Sequence, residues 1–134
     1  MAGDGNGRLW ENERMIDLET KSELLEGGTC VVSVAGELDM ATEPRFKQTL
    51  LGALGDVPAS VIIDLTECEF IDSSALGILI GARERLDGDG VSVGLSIVTP
   101  NPTIRKVFEI TGLETLFAIH PSRAAAMNGG TRVV

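Results

Sequence analysis

The run SVIIDL, Ser60 to Leu65, is wholly β-branched or apolar after its first residue, except for one aspartate. A run so short and so apolar predicts a strand buried on both faces. VSVGLSIV, Val91 to Val98, has the same character, and LFAIH, Leu116 to His120, predicts a shorter last strand. Between these runs the period changes. In ATEPRFKQTLLGALG, Phe46, Leu50, Leu51 and Leu54 recur at helical spacing, Pro44 suits an early helical position, and Thr42 or Ala41 can cap. Pro100 and Pro102 close the Val91–Val98 strand, after which TIRKVFEITG puts Ile104, Val107, Phe108 and Thr111 on one helical face and stops at Gly112. PSRAAAM predicts a terminal helix. Ahead of all this, MIDLETKSE and TCVVSVAGEL flank Glu26-Gly27-Gly28, which predicts an antiparallel hairpin of Met15–Glu23 with Thr29–Gly36.

Strands alternating with helices of about ten residues imply crossover connections. The expected class is therefore α/β: a mixed, mostly parallel β-sheet of about four to five strands, helices packed on it, and an N-terminal antiparallel hairpin. At 134 residues one core is the usual solution. Residues 1–14 and 128–134 lack periodicity and are expected to be flexible ends around a single domain spanning 15–127.

Composition narrows the chemistry. With no Tyr and one Trp, the core must be built from Val, Ile, Leu and Ala. The net charge of −9 repels phosphate backbones and anionic headgroups, so neither nucleic acid nor a membrane is an expected partner, whereas a basic protein surface is favoured. No window of ~18 apolar residues is present, and MAGDGNGRLWENER has neither the basic nor the apolar region of a signal peptide, which predicts a cytoplasmic protein. Cys30 and Cys68 show no CxxC spacing and read as buried reduced thiols. They would couple oxidation to function only if their Cα atoms lay within ~7 Å.

The stretch EFIDSSALGILIG, Glu69 to Gly81, places Asp72, Ser73 and Ser74 after the polar loop TECEFID and before an almost wholly apolar helix, Ser73 to about Leu86. A nucleophilic serine needs a base, but His120 is the only histidine and no GxSxG surrounds either serine, so no catalytic activity is expected. The thiols, His120 and the carboxylates have no metal-ligand spacing, and neither GxxxxGK[ST] nor a strand-linked GxGxxG occurs, so no metal or cofactor is expected. Asp72 or Ser73 can cap the helix. Capping leaves unexplained why Ala75, Leu76, Gly77, Ile78, Leu79 and Ile80 are apolar around most of the circumference, where a surface helix should show a polar face. Part of that helix is therefore expected to be a docking surface. If the strands before GELDMAT and TECEFID are neighbours, Asp39 and Asp72 share a rim with Ser73 at the C-terminal ends of the parallel strands. This reading leaves Ser73 and Ser74 equivalent.

VAGELD (Val34 to Asp39), VIIDLTECEFIDSSALGIL (Val61 to Leu79) and LSIVTPNPTIRKVFEITGLETLFAIHPSRAAAM (Leu95 to Met127) together resemble the STAS domain of bacterial anti-sigma factor antagonists. The resemblance runs over about residues 15 to 127 and departs from many members at Ala75, where they have Gly. It implies a single STAS domain and a binding protein in partner-switching control of transcription. By that resemblance Ser73 is phosphorylated by an ATP-dependent anti-sigma factor serine kinase, and a serine phosphatase reverses the mark. Only the unphosphorylated protein then binds the kinase and releases a sigma factor. Asp39, Asp72, Ser74, Ala75, Leu76, Gly77 and Ile78 would form the partner surface, and the protein would be a monomer or weak dimer. The alternative is a STAS subunit of another regulatory or transport-accessory complex in which the serine is no phospho-switch.

Overall fold

Gly27 and Gly28 adopt φ of +90° and +91°, a region open to glycine, and so reverse the chain between the first two strands. These strands are β1 (Leu18–Leu24) and β2 (Thr29–Leu38), paired antiparallel from Leu18 opposite Gly36 to Leu24 opposite Cys30. The computed structural model describes residues 18–55, 58–88 and 94–131, so the expected hairpin residues Met15 to Asp17 lie outside the described residues. The chain continues through α1 (Glu43–Gly55), β3 (Ser60–Ile71), α2 (Ser73–Gly88), β4 (Gly94–Val98), α3 (Pro102–Ile110), a 3₁₀ turn at Leu113–Thr115, β5 (Ala118–His120) and α4 (Arg123–Thr131).

Among the described residues the strands form one five-stranded sheet in the order β1-β2-β3-β4-β5, with β2 to β5 parallel. Each crossover steps in the same direction, and such connections are right-handed as a rule, so α1, α2 and α3 come to lie on one face. Phe46 of α1, Leu79 of α2 and Phe108 of α3 accordingly meet Val32, Val61, Ile63 and Ile97 of the sheet in one core. Burying each such side chain contributes about 1.5–3 kcal/mol. α4 covers part of the opposite face, where Ala126 packs with Val31, Ile62 and Val98. A strand order that never reverses has no switch-point crevice of the kind that holds nucleotides in doubly wound sheets. What the rim carries is therefore displayed on a surface.

Four expectations need correction. TECEFI is strand and not loop: β3 runs on to Ile71, and β2 runs on to Leu38 instead of stopping at Gly36. The register shifts twice, so that Ser33–Ala35 faces Asp64–Glu67 and Gly36–Glu37 faces Cys68–Phe70, each shift adding one residue to β3. Bulges of this kind break period-two alternation. Burial consequently falls at Leu65, Cys68 and Ile71, a spacing of three that mimics an irregular segment. The last strand begins at Ala118 because Leu113–Thr115 is wound as a 3₁₀ turn. Leu51 faces out from α1 while Ala53 replaces it in the core. The cysteines meet the expectation of buried thiols and fail the distance condition for coupling: Cys30 pairs with Val61 and Cys68 with Gly36, an offset of six residues along β2, or roughly 20 Å at 3.3 Å per residue. That exceeds disulfide reach, so Cys30 and Cys68 are two separate buried thiols. Of the expected Val91–Val98 strand, Val91 to Val93 lie outside the described residues.

Candidate functional site

β2 and β3 end side by side, Leu38 opposite Ile71, and each is followed at once by an aspartate. Asp39 and Asp72 therefore leave neighbouring strands at about the 4.8 Å strand spacing. The Asp72 amide donates to the Leu38 carbonyl at 3.0 Å, which ties the two exits together. Each carboxylate then organises the helix that follows. Asp39 Oδ1 accepts from the amides of Ala41 at 3.0 Å and Thr42 at 3.1 Å, an Asx-type turn that swings the chain into α1. Buried Thr42 donates through Oγ1 to the Glu37 carbonyl at 2.6 Å and accepts from the Asp39 amide at 3.0 Å, fastening the start of α1 to the end of β2.

Asp72 caps α2: its Oδ1 accepts from the Ala75 amide at 3.2 Å, and its carbonyl accepts from Leu76 at 3.2 Å. The two serines left equivalent by capping rules thus become distinct from the cap. Ser73 is the first residue of α2 and exposed; Ser74 is the second and half-buried. Neither hydroxyl forms a hydrogen bond among the described residues. Ser73 accordingly presents an unengaged Oγ at the positive end of a sixteen-residue helix, where an anion is tolerated.

The rim unites Asp39, Asp72, Ser73 and Ser74, and Gly77 and Ile78 continue the same face one turn on. Ala75 and Leu76 do not belong to it. At 0% and 5% exposure they point into the core, because the helix turns them toward the sheet while Ser73, Ser74 and Gly77 face away. Two rim side chains were not foreseen: Met40, 70% exposed, and Phe70, 47% exposed. A large apolar residue directly after Asp39 and another inside the charged EFID segment were the available signals.

Below the serines, α1 and α2 enclose a groove of about 470 Å³ lined by Leu51, Ile78, Gly77 and Gly81 and bordered by Lys47 and Arg85. Cys68 sits beneath the rim, where burial pushes its thiol pKa up. Its Sγ donates to the Phe70 carbonyl at 3.2 Å, so the thiol is a packed, protonated group. No group of three or more His, Cys, Asp or Glu side chains suited to a metal occurs among the described residues. His120 ends β5, and its carbonyl accepts from the Thr99 amide at 2.9 Å. None of the described helices is long and apolar enough to cross a membrane.

A monotonic mixed sheet whose β2 and β3 exits present a capped, serine-bearing helix defines a STAS-type α/β module. The chain belongs to the STAS domain family, whose model matches residues 17–126. It is 28% identical over 102 residues to the anti-sigma-F factor antagonist RsfB of Mycobacterium tuberculosis, covering 76% of this chain and 81% of that protein. The crystal structure of an anti-sigma factor antagonist from Mycobacterium paratuberculosis superposes with a TM-score of 0.73 at 31% identity, over 84% of this chain and 92% of that one. The Bacillus antagonist SpoIIAA in its unphosphorylated form gives a TM-score of 0.69 at 23% identity, over 87% of this chain and 99% of that one, and shares the fold. The chain is thus a member of the anti-sigma factor antagonist group of STAS proteins by homology.

Proposed function

We propose that this protein binds an anti-sigma factor that is also a serine kinase, thereby releasing a sigma factor, and that ATP-dependent phosphorylation of Ser73 by that partner switches the binding off. The carrying observation is the placement of Ser73: exposed, unengaged, first in α2, and beside the Asp39–Asp72 rim. The names of the relatives as anti-sigma factor antagonists support the partner class. The protein acts by binding alone, in the cytoplasm where ATP is available, and a serine phosphatase resets it. Partner contacts come from Asp39, Asp72, Ser74, Gly77 and Ile78, joined by Met40 and Phe70.

The switch follows from charge. A phosphate on Ser73 adds about −1.5 to −2 at a helix N-terminus that accommodates it, so the fold persists. Outwardly the phosphate excludes, by its bulk and its hydrated charge, the apolar or acidic partner group seated directly on the Ser73 hydroxyl, even where basic partner groups flank it at Asp39 and Asp72. A few kcal/mol of repulsion suffices, since ~1.4 kcal/mol is tenfold in affinity. The test incubates the protein with each candidate anti-sigma kinase and ATP and maps phosphate by mass spectrometry. Transfer to Ser73, with loss of binding on transfer, is expected; failure of every kinase that binds the protein to modify Ser73 would refute the switch.

A further inference from the structure

The groove between α1 and α2 is continuous with the displayed serines, because Ser74 stands at its upper end. Its depth has a simple origin. A Cβ added at Gly77 or Gly81 would meet nothing within 4 Å, so the floor is low for want of side chains and is not filled by a neighbour. Exposed Leu51 and half-buried Ile78 make the walls apolar. From Ser74 to Arg85 the helix advances eleven residues, about 16 Å, which matches about three turns of a second helix laid along it.

Charge identifies the occupant. Lys47 from α1 and Arg85 from α2 border the groove, no carboxylate lines it, and neither cation has an ion pair or hydrogen bond among the described residues. In a chain of net charge −9 this is a local reversal of sign. The rim above it, at Asp39 and Asp72, is negative. A partner element must therefore carry acidic groups toward the groove and basic groups toward the rim, which fixes one direction of docking.

We propose that the α1–α2 groove receives an amphipathic α-helix of the anti-sigma factor. Its apolar stripe lies over Gly77 and Gly81 between Leu51 and Ile78, and its carboxylates pair with Lys47 and Arg85. This inference rests on the partner class proposed above and adds the element and chemistry by which that partner docks. A second copy of this chain fits less well, since a two-fold contact through the groove brings like charges together with no groove carboxylate to pair them. A small apolar ligand would leave both cations without partners.

The experiment measures binding of the full chain, by calorimetry, to the anti-sigma factor that phosphorylates Ser73. Gly81→Leu fills the groove at a position where a helical side chain has room, so the variant should keep the wild-type melting temperature or exceed it. It should weaken binding by about 30-fold, the loss expected when a docked apolar element is displaced. Lys47→Glu with Arg85→Glu should weaken it by about 10-fold, and reversing the acidic residues of the partner helix should restore it. If both variants bind within about twofold of wild type while Ser73→Asp loses binding, the groove is unoccupied and the phospho-switch alone stands. If Gly81→Leu converts a dimer to a monomer in sedimentation and leaves partner binding intact, the occupant is a second copy and the proposal fails. If wild type binds no anti-sigma factor, both readings fail together.

Discussion

α2 and α4 both begin at the edge of the sheet where parallel strands end, and both are capped by the residue before them. Asp72 accepts from the Ala75 amide at 3.2 Å, and Ser122 Oγ accepts from the Ala125 amide at 3.1 Å. Their first helical residues differ. α4 opens with Arg123, a cation at the positive end of a helix dipole and therefore unfavourable by itself. It is held there because Nε donates to Asp64 Oδ2 at 2.5 Å, Nη2 donates to Ser33 Oγ at 2.9 Å, and Nη1 lies 3.6 Å from Glu23. α2 opens with Ser73, whose hydroxyl engages nothing in the described structure. The same backbone device is thus closed inward at α4, as a fastening across β1, β2 and β3, and open outward at α2. A first side chain that the fold does not engage leaves the start of α2 available for the recognition proposed above.

The largest expected effect falls on the closed start. Arg123→Ala leaves Asp64, 7% exposed, without its cationic partner; Thr66 still donates to Oδ1 through its amide at 2.9 Å and its hydroxyl at 2.5 Å. Breaking such a pair costs about 3 kcal/mol, at the lower end of the range because Arg123 is itself partly solvated. Denaturant unfolding should show that loss with partner binding unchanged; a loss of binding instead would mean that α4 also contacts the partner.

The same pair gives a pH signature. Burial raises the Asp64 pKa, but the hydrogen bonds from Thr66 and Arg123 and the Arg123 charge outweigh it and hold the carboxyl below its ordinary 3.8. A folded value below the unfolded one means that this stability is present above the ordinary value and is lost as pH falls through the depressed one. Asp64→Asn should flatten the acid limb of stability below about pH 4. An unchanged acid limb would break the assignment.

At the open start the expected pattern inverts. Ser73→Asp should cost little stability, since a carboxylate in the first turn is favourable, yet reduce anti-sigma factor binding about 100-fold, or ~2.8 kcal/mol. Ser73→Ala should bind throughout and resist inactivation by ATP. Equal binding by the two variants, measured by calorimetry, would show that charge at this position is not the switch.

These contrasts mark what the sequence made legible. The class, the hairpin and the helix starts follow from local periodicity and turn chemistry, which operate within a few residues, whereas the alignment of Asp39 with Asp72 and Ser73 depended on β2 and β3 being neighbours, as they are. The continuation of β3 through Thr66–Ile71 was hidden, because bulges that depend on β2 turn its burial period from two to three. Ala75 and Leu76 read as surface in the sequence because an apolar helix shows no face of its own; only packing against the sheet divides it. The Asp64–Arg123 bond joins residues 59 apart, and SVIIDL gave no hint that its aspartate was an anchor. The groove cations are equally non-local, one from each helix.

The smallest effect separates the two roles of Asp72. Asparagine caps a helix about as well as aspartate, because the carbonyl oxygen still accepts from the Ala75 amide, so Asp72→Asn should change stability by only a few tenths of a kcal/mol. Asp72→Ala removes that acceptor and should cost about 1 kcal/mol. If the rim recognises basic groups of the partner, Asp72→Asn should nonetheless weaken binding several-fold, chiefly through a slower association rate that loses its salt dependence. A variant that matched wild type in both association rate and salt response would leave Asp72 a cap alone, and the negative half of the docking face would then rest on Asp39.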